Sequence, residues 1–488
     1  MRKDFERQLK LDVPSLDHLE FDPTSRHELE SILMALKHLY DSPRALHTVL
    51  RLIADDVGDA DLGCEGLTYW EIVVLAAVRL GGNLDYDALA DLATNHRKLR
   101  VLMGIGDWQA KKFARSTIHD NVKKLKPETL RAISRVIVAL GQKLEPAAIE
   151  RVRGDSFVVQ TNIHYPTDAN LIVDGVRTVL RLSAHLGRAL SLRTYQHWRT
   201  TFRGVKKLHR QIQKVAASKK GSKADKAEKL KLIYDLLIAT ALDIVLQAFD
   251  FKEKTNPDTI RNRKIQKQVE KLVAELIYYI SVTAYVVQLA ERRVLRAETI
   301  AHDEKIFSIF EPHTELINRG KLPFPIEFGH RVFVVEDQVG FIHEYEIMER
   351  GMTDEKVIMT MIQALQKRVH HRIKVASFDK GCWSPDNLKA LEKIVEVVCL
   401  PKKGRPDAAA KLREGAPAFR QARRWHPGVE SAIHALVTGN GLAVCRDRGQ
   451  EGYERYVALG VLGRNLHTLG RLLLKKAHEE RPPLRRAA

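Results

Sequence analysis

The chain has 488 residues, of which 44% are hydrophobic and 29% are charged, so it is too long for one ordinary domain and has ample apolar residues for buried cores. Two or three domains of a soluble protein are therefore expected. The 80 Lys and Arg residues exceed the 61 Asp and Glu residues and give a formal charge of +19, which favours a polyanionic partner, most commonly a nucleic acid.

The N-terminus and the cysteines both favour a cytoplasmic protein. Residues 1–7 lack the apolar core of a signal peptide. The cysteines show no paired spacing typical of a metal site, and a disulfide framework is not expected in so long a chain. They are Cys64, Cys382, Cys399 and Cys445.

Residues 1–150 have the pattern of an all-α N-terminal domain. Apolar residues recur at spacings of three and four, and Thr68 followed by Glu71 has the pattern of a capping box. The spacing predicts helices over Ser25–Leu39, Pro43–Asp55, Tyr69–Leu80, Tyr86–Leu92 and Pro127–Leu140.

Within this region, a short helical pair over Asp85–Ala93 and Arg97–Met103 is surrounded by basic residues. The pattern is typical either of a helix-turn-helix-like DNA reader or of a helical bundle with a solvated basic face, and periodicity does not decide between them. In the first interpretation, residues 1–150 are a helical DNA-binding domain. The candidate DNA-binding residues here are Arg97, Lys98, Arg100, Lys111, Lys112 and Arg115.

From residue 151 the pattern changes from helix to strand. Ser156–Tyr165 alternates and is rich in Val, Ile and Phe, which predicts a strand with Asp155 at its opening. A helix capped by Thr167 is predicted over Asp168–Leu182. We interpret Asp174 in this helix as part of a solvated face. Residues 151–183 would then be the first part of an α/β core.

Residues 184–301 are predicted to be a helical, strongly basic insertion. The run Lys219–Lys223 has the composition of an exposed loop between two helices. Such a charge run is either a solvated face or a phosphate-contacting surface, and the excess of one sign favours phosphate contact. Leu272–Ala290 is apolar but contains Glu275, so we expect a buried helix rather than a membrane span. The candidate DNA-binding residues are Lys206, Lys207, Lys219, Lys220 and Lys223.

Strand patterns return after the insertion, and residues 302–478 are predicted to complete the α/β core. The order is strand, strand, helix, strand, helix, strand and a final helix, and Asp379 directly follows the strand Ile373–Phe378. The other predicted elements are the strands Ile306–Phe310, Gly329–Glu336, Gly340–Ile347 and Val395–Leu400, and the helices Asp354–Arg368, Pro385–Lys393 and Val429–Leu436.

The final predicted helix carries Glu430, and the segment before it, Lys402–Arg424, is predicted to be a basic loop beside the active site. A solvated, disordered loop is the alternative interpretation of that segment. Residues 479–488 are predicted to be a basic tail. The candidate DNA-binding residues in the loop are Lys402, Lys403, Arg405, Arg423 and Arg424.

This order of elements matches a ribonuclease-H-like core interrupted after its first strand. The first and fourth strands of such a core are neighbours, so Asp155 and Asp379 should lie side by side within reach of the same metal ions. Together with Glu430 they form a set of three carboxylates in a basic protein, which suggests two Mg²⁺ or Mn²⁺ ions acting on a phosphodiester. From these patterns alone, a loop cap is slightly the better explanation of Asp379, and a solvated helix position is slightly the better explanation of Glu430.

The chain also resembles the DDE transposases of bacterial insertion sequences from about residue 20 to residue 475. The resemblance implies that Asp155, Asp379 and Glu430 are the catalytic, metal-binding triad. It also implies cleavage at the element's ends, joining of the 3′-hydroxyl to target DNA, and a homo-oligomer, expected to be a dimer on paired ends. The motifs that carry it are residues 67–72, 103–108, 162–168, 307–315, 378–381 and 426–433.

The chain departs from that family beside Glu430. Many members carry an Arg four residues before the catalytic Glu and a Lys seven residues after it, whereas this chain has His426 and Val437. Arg423, Arg424 and His434 are candidates for the missing charge. Two other interpretations stay open: a metal-dependent nuclease without strand transfer, and a catalytically silent DNA-binding protein descended from a transposase.

Overall fold

The computed structural model describes residues 13, 15–25, 27–58, 66–320 and 325–480. The chain forms two compact units. The first unit combines residues 1–162 with residues 317–488, and the second comprises residues 163–316. Most of the predicted basic tail, residues 481–488, lies outside the described residues.

The N-terminal region is helical, and the helix starts follow local capping chemistry. The Thr68 hydroxyl accepts from the Glu71 backbone while the Glu71 carboxylate accepts from the Thr68 backbone, so the predicted capping box is present. The helices are α1 (Glu28–Tyr40), α2 (Pro43–Val57), α3 (Tyr69–Gly81), α4 (Tyr86–Asn95), α5 (Arg97–Leu102), α6 (Arg115–Val122) and α7 (Pro127–Leu144).

These helices share one hydrophobic core with the C-terminal helix α17 (Gln450–Glu479) and with part of the sheet. Close backbone approach makes this packing possible: a Cβ on Gly470 would lie 1.7 Å from the Ser31 carbonyl oxygen of α1. The phenol of Tyr453 on α17 donates to the backbone of Val159, 2.7 Å away. The predicted boundary near residue 150 therefore does not separate two compact units.

The described residues contain a mixed seven-stranded sheet in the order β2-β3-β1-β5-β6, with β4 on β3 and β7 on β1. The central strand β1 pairs antiparallel with β3 and parallel with β5, and β5 pairs parallel with β6. The strands are β1 (Arg151–Thr161), β2 (Glu315–Asn318), β3 (Ile326–Asp337), β4 (Ile342–Ile347), β5 (Val375–Phe378), β6 (Val397–Cys399) and β7 (Val444–Cys445).

Further helices of the first unit pack around this sheet, and residues of the candidate site lie at the ends of some of them. Helix α12 has the predicted bounds, Asp354–Arg368. The remaining helices are α13 (Pro385–Leu391), α14 (Ala408–Gly415), α15 (Pro417–Trp425) and α16 (Gly428–His434).

Several predicted elements have other bounds in the structure, and three of the differences are described here. Strand β1 begins at Arg151 rather than Ser156, because pairing with β3 already starts at Val152. Ile306–Phe310 is not a strand. The predicted basic loop Lys402–Arg424 contains α14 and most of α15, which buries Phe419. Its alternation of basic and apolar residues belongs to short amphipathic helices.

The second unit is a helical bundle with its own hydrophobic core. In this bundle α11 packs on α8 and on α10. Asp174, predicted to be solvated, is instead buried, forms an ion pair with Arg177 and lies 3.2 Å from Nε2 of His164. The helices are α8 (Asp168–Ala189), α9 (Trp198–Ala217), α10 (Lys223–Glu253) and α11 (Arg263–Ala290).

Two stretches of this unit, Lys223–Glu253 and Arg263–Leu295, are long and apolar enough to cross a membrane by length and composition alone. The same test is passed by core helices of soluble proteins. Leu276, Ile280 and Val287 of α11 are buried in the core of the second unit.

Candidate active site

The pairing of β1 with β5 brings Asp155 and Asp379 to one place on the sheet. Gly154 of β1 pairs with Phe378, the last residue of β5. Asp155 directly follows Gly154, and Asp379 directly follows Phe378, so the two aspartates follow paired residues on parallel strands. A Cβ on Gly154 would lie 2.8 Å from the Phe333 ring and 3.1 Å from the Phe378 ring, so only glycine permits this close strand packing. Asp379 is exposed and caps the short turn Lys380–Cys382.

Asp155 lies in an environment that disfavours its charge. Burial raises the pKa of Asp155 to about 6, against a hydrogen bond from the Ser156 backbone 2.7 Å away that favours the charged form. The neighbouring carboxylates of Asp379 and Asp354 raise this pKa further, and Arg319 lowers it. A perturbed carboxylate beside further carboxylates is a feature of functional sites.

Asp354 is a site residue that the sequence analysis missed. It begins α12, and its Oδ2 accepts from the Ser156 hydroxyl at 3.1 Å, while its Oδ1 lies 3.7 Å from Arg331. An acidic residue in the first turn of a helix ordinarily indicates a helix-terminus charge, so the sequence carried no separate signal for it. Only the folded structure, in which β1 pairs with β3 and β5, shows that Asp354 lies close to β1.

Glu430 lies on α16, which contacts β1, but the carboxylates that act on Asp155 are those of Asp379 and Asp354. The Glu430 side chain is exposed. His426, four residues earlier, is electrostatically coupled to Asp379 and Glu430 and hydrogen-bonds the Ser377 backbone of β5. His426 lies between α15 and α16 and therefore connects the helix that carries Glu430 to β5, the strand that precedes Asp379.

His426 does not supply the positive charge that the resemblance predicts four residues before Glu430. Burial lowers the pKa of His426 despite the neighbouring Asp379, so the imidazole is neutral at pH 7. Arg423 lies 3.9 Å from Glu414, and Arg424 is exposed.

The donor set suits a hard divalent cation, although the side chains do not form a ready-made cage. Among the described residues, no three His, Cys, Asp or Glu side chains form a group arranged to hold a metal ion. The carboxylates of Asp155, Asp354 and Asp379 nevertheless act on one another and on the buried Cys382 thiol, whose pKa they and burial raise. Oδ1 of Asp354 is buried without a hydrogen bond. Arg331 supplies a positive charge 3.7 Å away, and neighbouring carboxylates of this kind fit a cation with oxygen ligands.

Most candidate DNA-binding residues of the N-terminal region are exposed but already have acidic neighbours. Arg100 differs, because it is buried and donates to the backbone carbonyls of Thr94, Gln109 and Lys111. Arg100 therefore stabilises the turn after α5, and its predicted role in DNA binding is withdrawn. The others are Arg97 (3.2 Å from Asp107), Lys98 (paired with Glu30), Lys111 (2.5 Å from Glu71), Arg115 (3.5 Å from Asp87) and Lys112, which is exposed.

The remaining candidates lie on α9, α10 and α15 or in the loops that precede α10 and α14. In the second unit, Lys206, Lys207, Lys219, Lys220 and Lys223 are exposed on α9, the following loop and the start of α10. In the first unit, Lys403, Arg405, Arg423 and Arg424 are exposed, and Lys402 pairs with Asp407 at 2.5 Å.

Comparisons of the chain with protein-family models, with curated proteins and with solved structures found no match.

Proposed function

We propose that this chain is a DDE-type DNA transposase that cuts phosphodiester bonds at the ends of its element and joins the 3′-hydroxyl to target DNA. The observation that carries the proposal is the adjacency of Asp155, within β1, and Asp379, directly after the neighbouring parallel strand β5, with the helix of Glu430 against β1. The strands β1 and β5 would be the first and fourth strands of a ribonuclease-H-like core. These two strands are neighbours in such a core, so their pairing supports that fold assignment.

The carboxylates have a defined role in this proposal. Asp155, Asp379 and Glu430, with Asp354 beside them, would hold two Mg²⁺ or Mn²⁺ ions. When bound, such ions stabilise the attacking and leaving oxygens of a phosphodiester. Asp155 must lose its proton to bind a cation, and its raised pKa makes that step sensitive to pH below neutrality.

The basic surfaces have a role in positioning double-stranded DNA, namely the terminal inverted repeats and the target. Exposed lysines such as Lys206 and Lys219 supply sequence-independent phosphate contacts, while the helical pair α4–α5 is proposed to read the ends. The protein would act in the bacterial cytoplasm as a homo-oligomer, a dimer on paired ends.

The test is incubation of the full chain with DNA carrying the inverted repeats that flank its gene, with and without Mg²⁺. We expect Mg²⁺-dependent nicking at the repeat ends and joined products with a target plasmid. Nicking without joining would favour a nuclease, and end-specific binding without cleavage would favour a catalytically silent DNA-binding protein.

A further inference from the structure

Arg153 lies on β1 two residues before Asp155, so both side chains project from the same face of the sheet. Its side chain is only 12% exposed. The Nε donates to Glu336 at 2.6 Å, and Nη1 donates to the backbone carbonyl of Trp425 at 2.6 Å. The guanidinium also lies 4.4 Å from the centre of the Trp425 ring. Arg153 on β1 thus contacts both the backbone and the ring of Trp425, the last residue of α15.

The same guanidinium lies directly against the start of α16. A Cβ on Gly428 would be 2.0 Å from Nη1 of Arg153, so the space above this first residue of α16 is already filled by Arg153. Glu430 follows two residues later on the same short helix. The first residue of α16 is therefore in close contact with Arg153, and a larger side chain at position 428 would require the guanidinium to move.

The partner of Arg153 is itself fixed in the sheet. Glu336 lies on β3 opposite Arg153 and is 1% exposed, and both Arg153 and Arg464 oppose the rise in the pKa of Glu336 that burial causes. A buried ion pair is seldom more stabilising than apolar packing of the same volume. Its orientation is nevertheless well defined, because Nε and Nη1 of the planar guanidinium donate to two separate partners, Glu336 and the Trp425 carbonyl.

We propose that Arg153 is a positioning residue, which fixes α16 on the sheet and thereby sets the place of Glu430 relative to Asp155. The inference rests on the proposed function in assigning a metal-binding role to Glu430. Arg153 does not touch the reacting atoms, because its donors are directed to Glu336 and to the Trp425 carbonyl.

The test compares Mn²⁺ binding to the full chain by calorimetry for the natural protein, Arg153→Met, Glu430→Gln and the double variant. We expect Arg153→Met to weaken binding by roughly tenfold or more, as the loss of groups that orient metal ligands does. Because Arg153 acts through Glu430, the double variant should bind no more weakly than Glu430→Gln. Fully multiplicative losses, or an unchanged affinity in Arg153→Met, would overturn the proposal.

The chain offers a matched control in Arg79 of α3. Its side chain is 2% exposed, pairs with Asp447 at 2.5 Å and lies 4.0 Å from the centre of the Tyr86 ring. Arg79→Met therefore removes a buried arginine with an ion pair and an aromatic contact. We expect a loss of thermal stability comparable to that of Arg153→Met, with no change in Mn²⁺ affinity.

A second measurement separates this inference from the proposed function. If the natural protein binds no Mn²⁺, the proposed metal site fails, but hydrogen exchange still reports on Arg153. Amides of residues 428–434 should exchange faster in Arg153→Met than in Arg79→Met, and equal exchange would refute the positioning role. If Arg153→Met does not fold, Trp425→Leu removes the stacked ring, and the same comparisons are made on that variant.

Discussion

At the scale of single residues, Asp155 is the group whose environment says most about the site. Burial and two neighbouring carboxylates raise its pKa to about 6, whereas an aspartate in the unfolded chain titrates near 3.8. The folded protein therefore binds this proton more tightly than the unfolded chain does. Without a cation, stability should fall as pH rises from about 4 to about 6, and the full penalty should persist above that range.

Asp155→Asn removes this penalty, because the amide has the same shape and no charge. Without metal we expect the variant to be more stable than the natural protein at pH 7.5, by up to about 3 kcal/mol, and about equally stable at pH 4. Urea unfolding at the two pH values measures the difference. Asp235→Asn, at an exposed position of α10, is the control.

Added Mg²⁺ should make the natural protein more stable than Asp155→Asn, because a ligand that binds only the folded state stabilises that state. The natural protein should gain thermal stability with Mg²⁺ at pH 7.5, and Asp155→Asn should gain little. An equal gain in both proteins would show that Asp155 is not part of a metal site.

Sequence patterns and the resemblance led to the prediction of Asp155, Asp379 and Glu430 as a triad, but did not predict the residues around them. Asp379 could be placed after a strand because Ile373–Phe378 is a short stretch that contains the strand-favouring residues Ile, Val and Phe. Asp354 and Arg153 could not be recognised, because the first looks like a helix-terminus charge and the second like an ordinary strand arginine. Their roles depend on pairing across β1, β3 and β5, which brings residues about 200 positions apart into contact.

At the scale of elements, the crossing of α1 and α17 depends on Gly470. Its Cβ position is occupied by the Ser31 backbone, which cannot move aside as a flexible side chain can. We expect Gly470→Ala to lower the free energy of unfolding by about 1–3 kcal/mol. Gly204→Ala on α9 is the control, because no atom lies within 4 Å of its Cβ position and alanine favours helix. A neutral Gly470→Ala would contradict the described crossing.

The loop between α9 and α10 tests the proposed phosphate contacts. Replacing Lys219, Lys220 and Lys223 with Gln should weaken binding to all DNA sequences alike and reduce the salt slope by up to about 2.7, from about 0.9 per lost contact. Filter binding over a range of salt concentrations measures this. The same change at Lys374, Lys389 and Lys393, which are exposed in the first unit, should leave the slope unchanged. A changed sequence preference with an unchanged slope would contradict the proposal.

Elements with strong periodicity could be predicted from the sequence, and elements set by their neighbours could not. Helix α12 has the predicted bounds because its apolar face is regular and bounded. The start of β1 was placed five residues late, because Arg151–Asp155 contains three charged residues and a glycine. These residues become a strand through pairing with β3 and β5, which local propensity does not report.

At the scale of the whole molecule, the N-terminal helices and the sheet belong to one compact unit. Residues 1–150 share their core with α17, where Leu459, Leu462 and Leu466 are buried. Removing either part would expose this apolar surface, so we expect the fragment 1–150 not to fold cooperatively alone. Circular dichroism during urea unfolding of the fragment checks this, and a sharp transition would contradict a shared core.

Recognition of the element's ends is consequently best tested in the full chain. Exchanging Arg97, Lys112 and Arg115 for Gln should reduce the preference for terminal-repeat DNA over random DNA, because these exposed residues surround α4–α5. Competition binding at fixed salt measures the preference. An unchanged preference, with end-specific protection mapping to the second unit, would contradict the assignment of end reading to this region.

We propose that the carboxylates around Asp155 perform metal-dependent DNA cleavage, and a cleavage assay of the full chain is the direct test of this claim. The natural protein and Asp155→Asn are incubated at pH 7.5 with Mg²⁺ and DNA carrying the element's ends, while binding is measured in parallel. We predict end-specific cleavage by the natural protein only, with equal DNA binding by both. Cleavage retained by Asp155→Asn, or unaffected by removal of Mg²⁺, would contradict the claim.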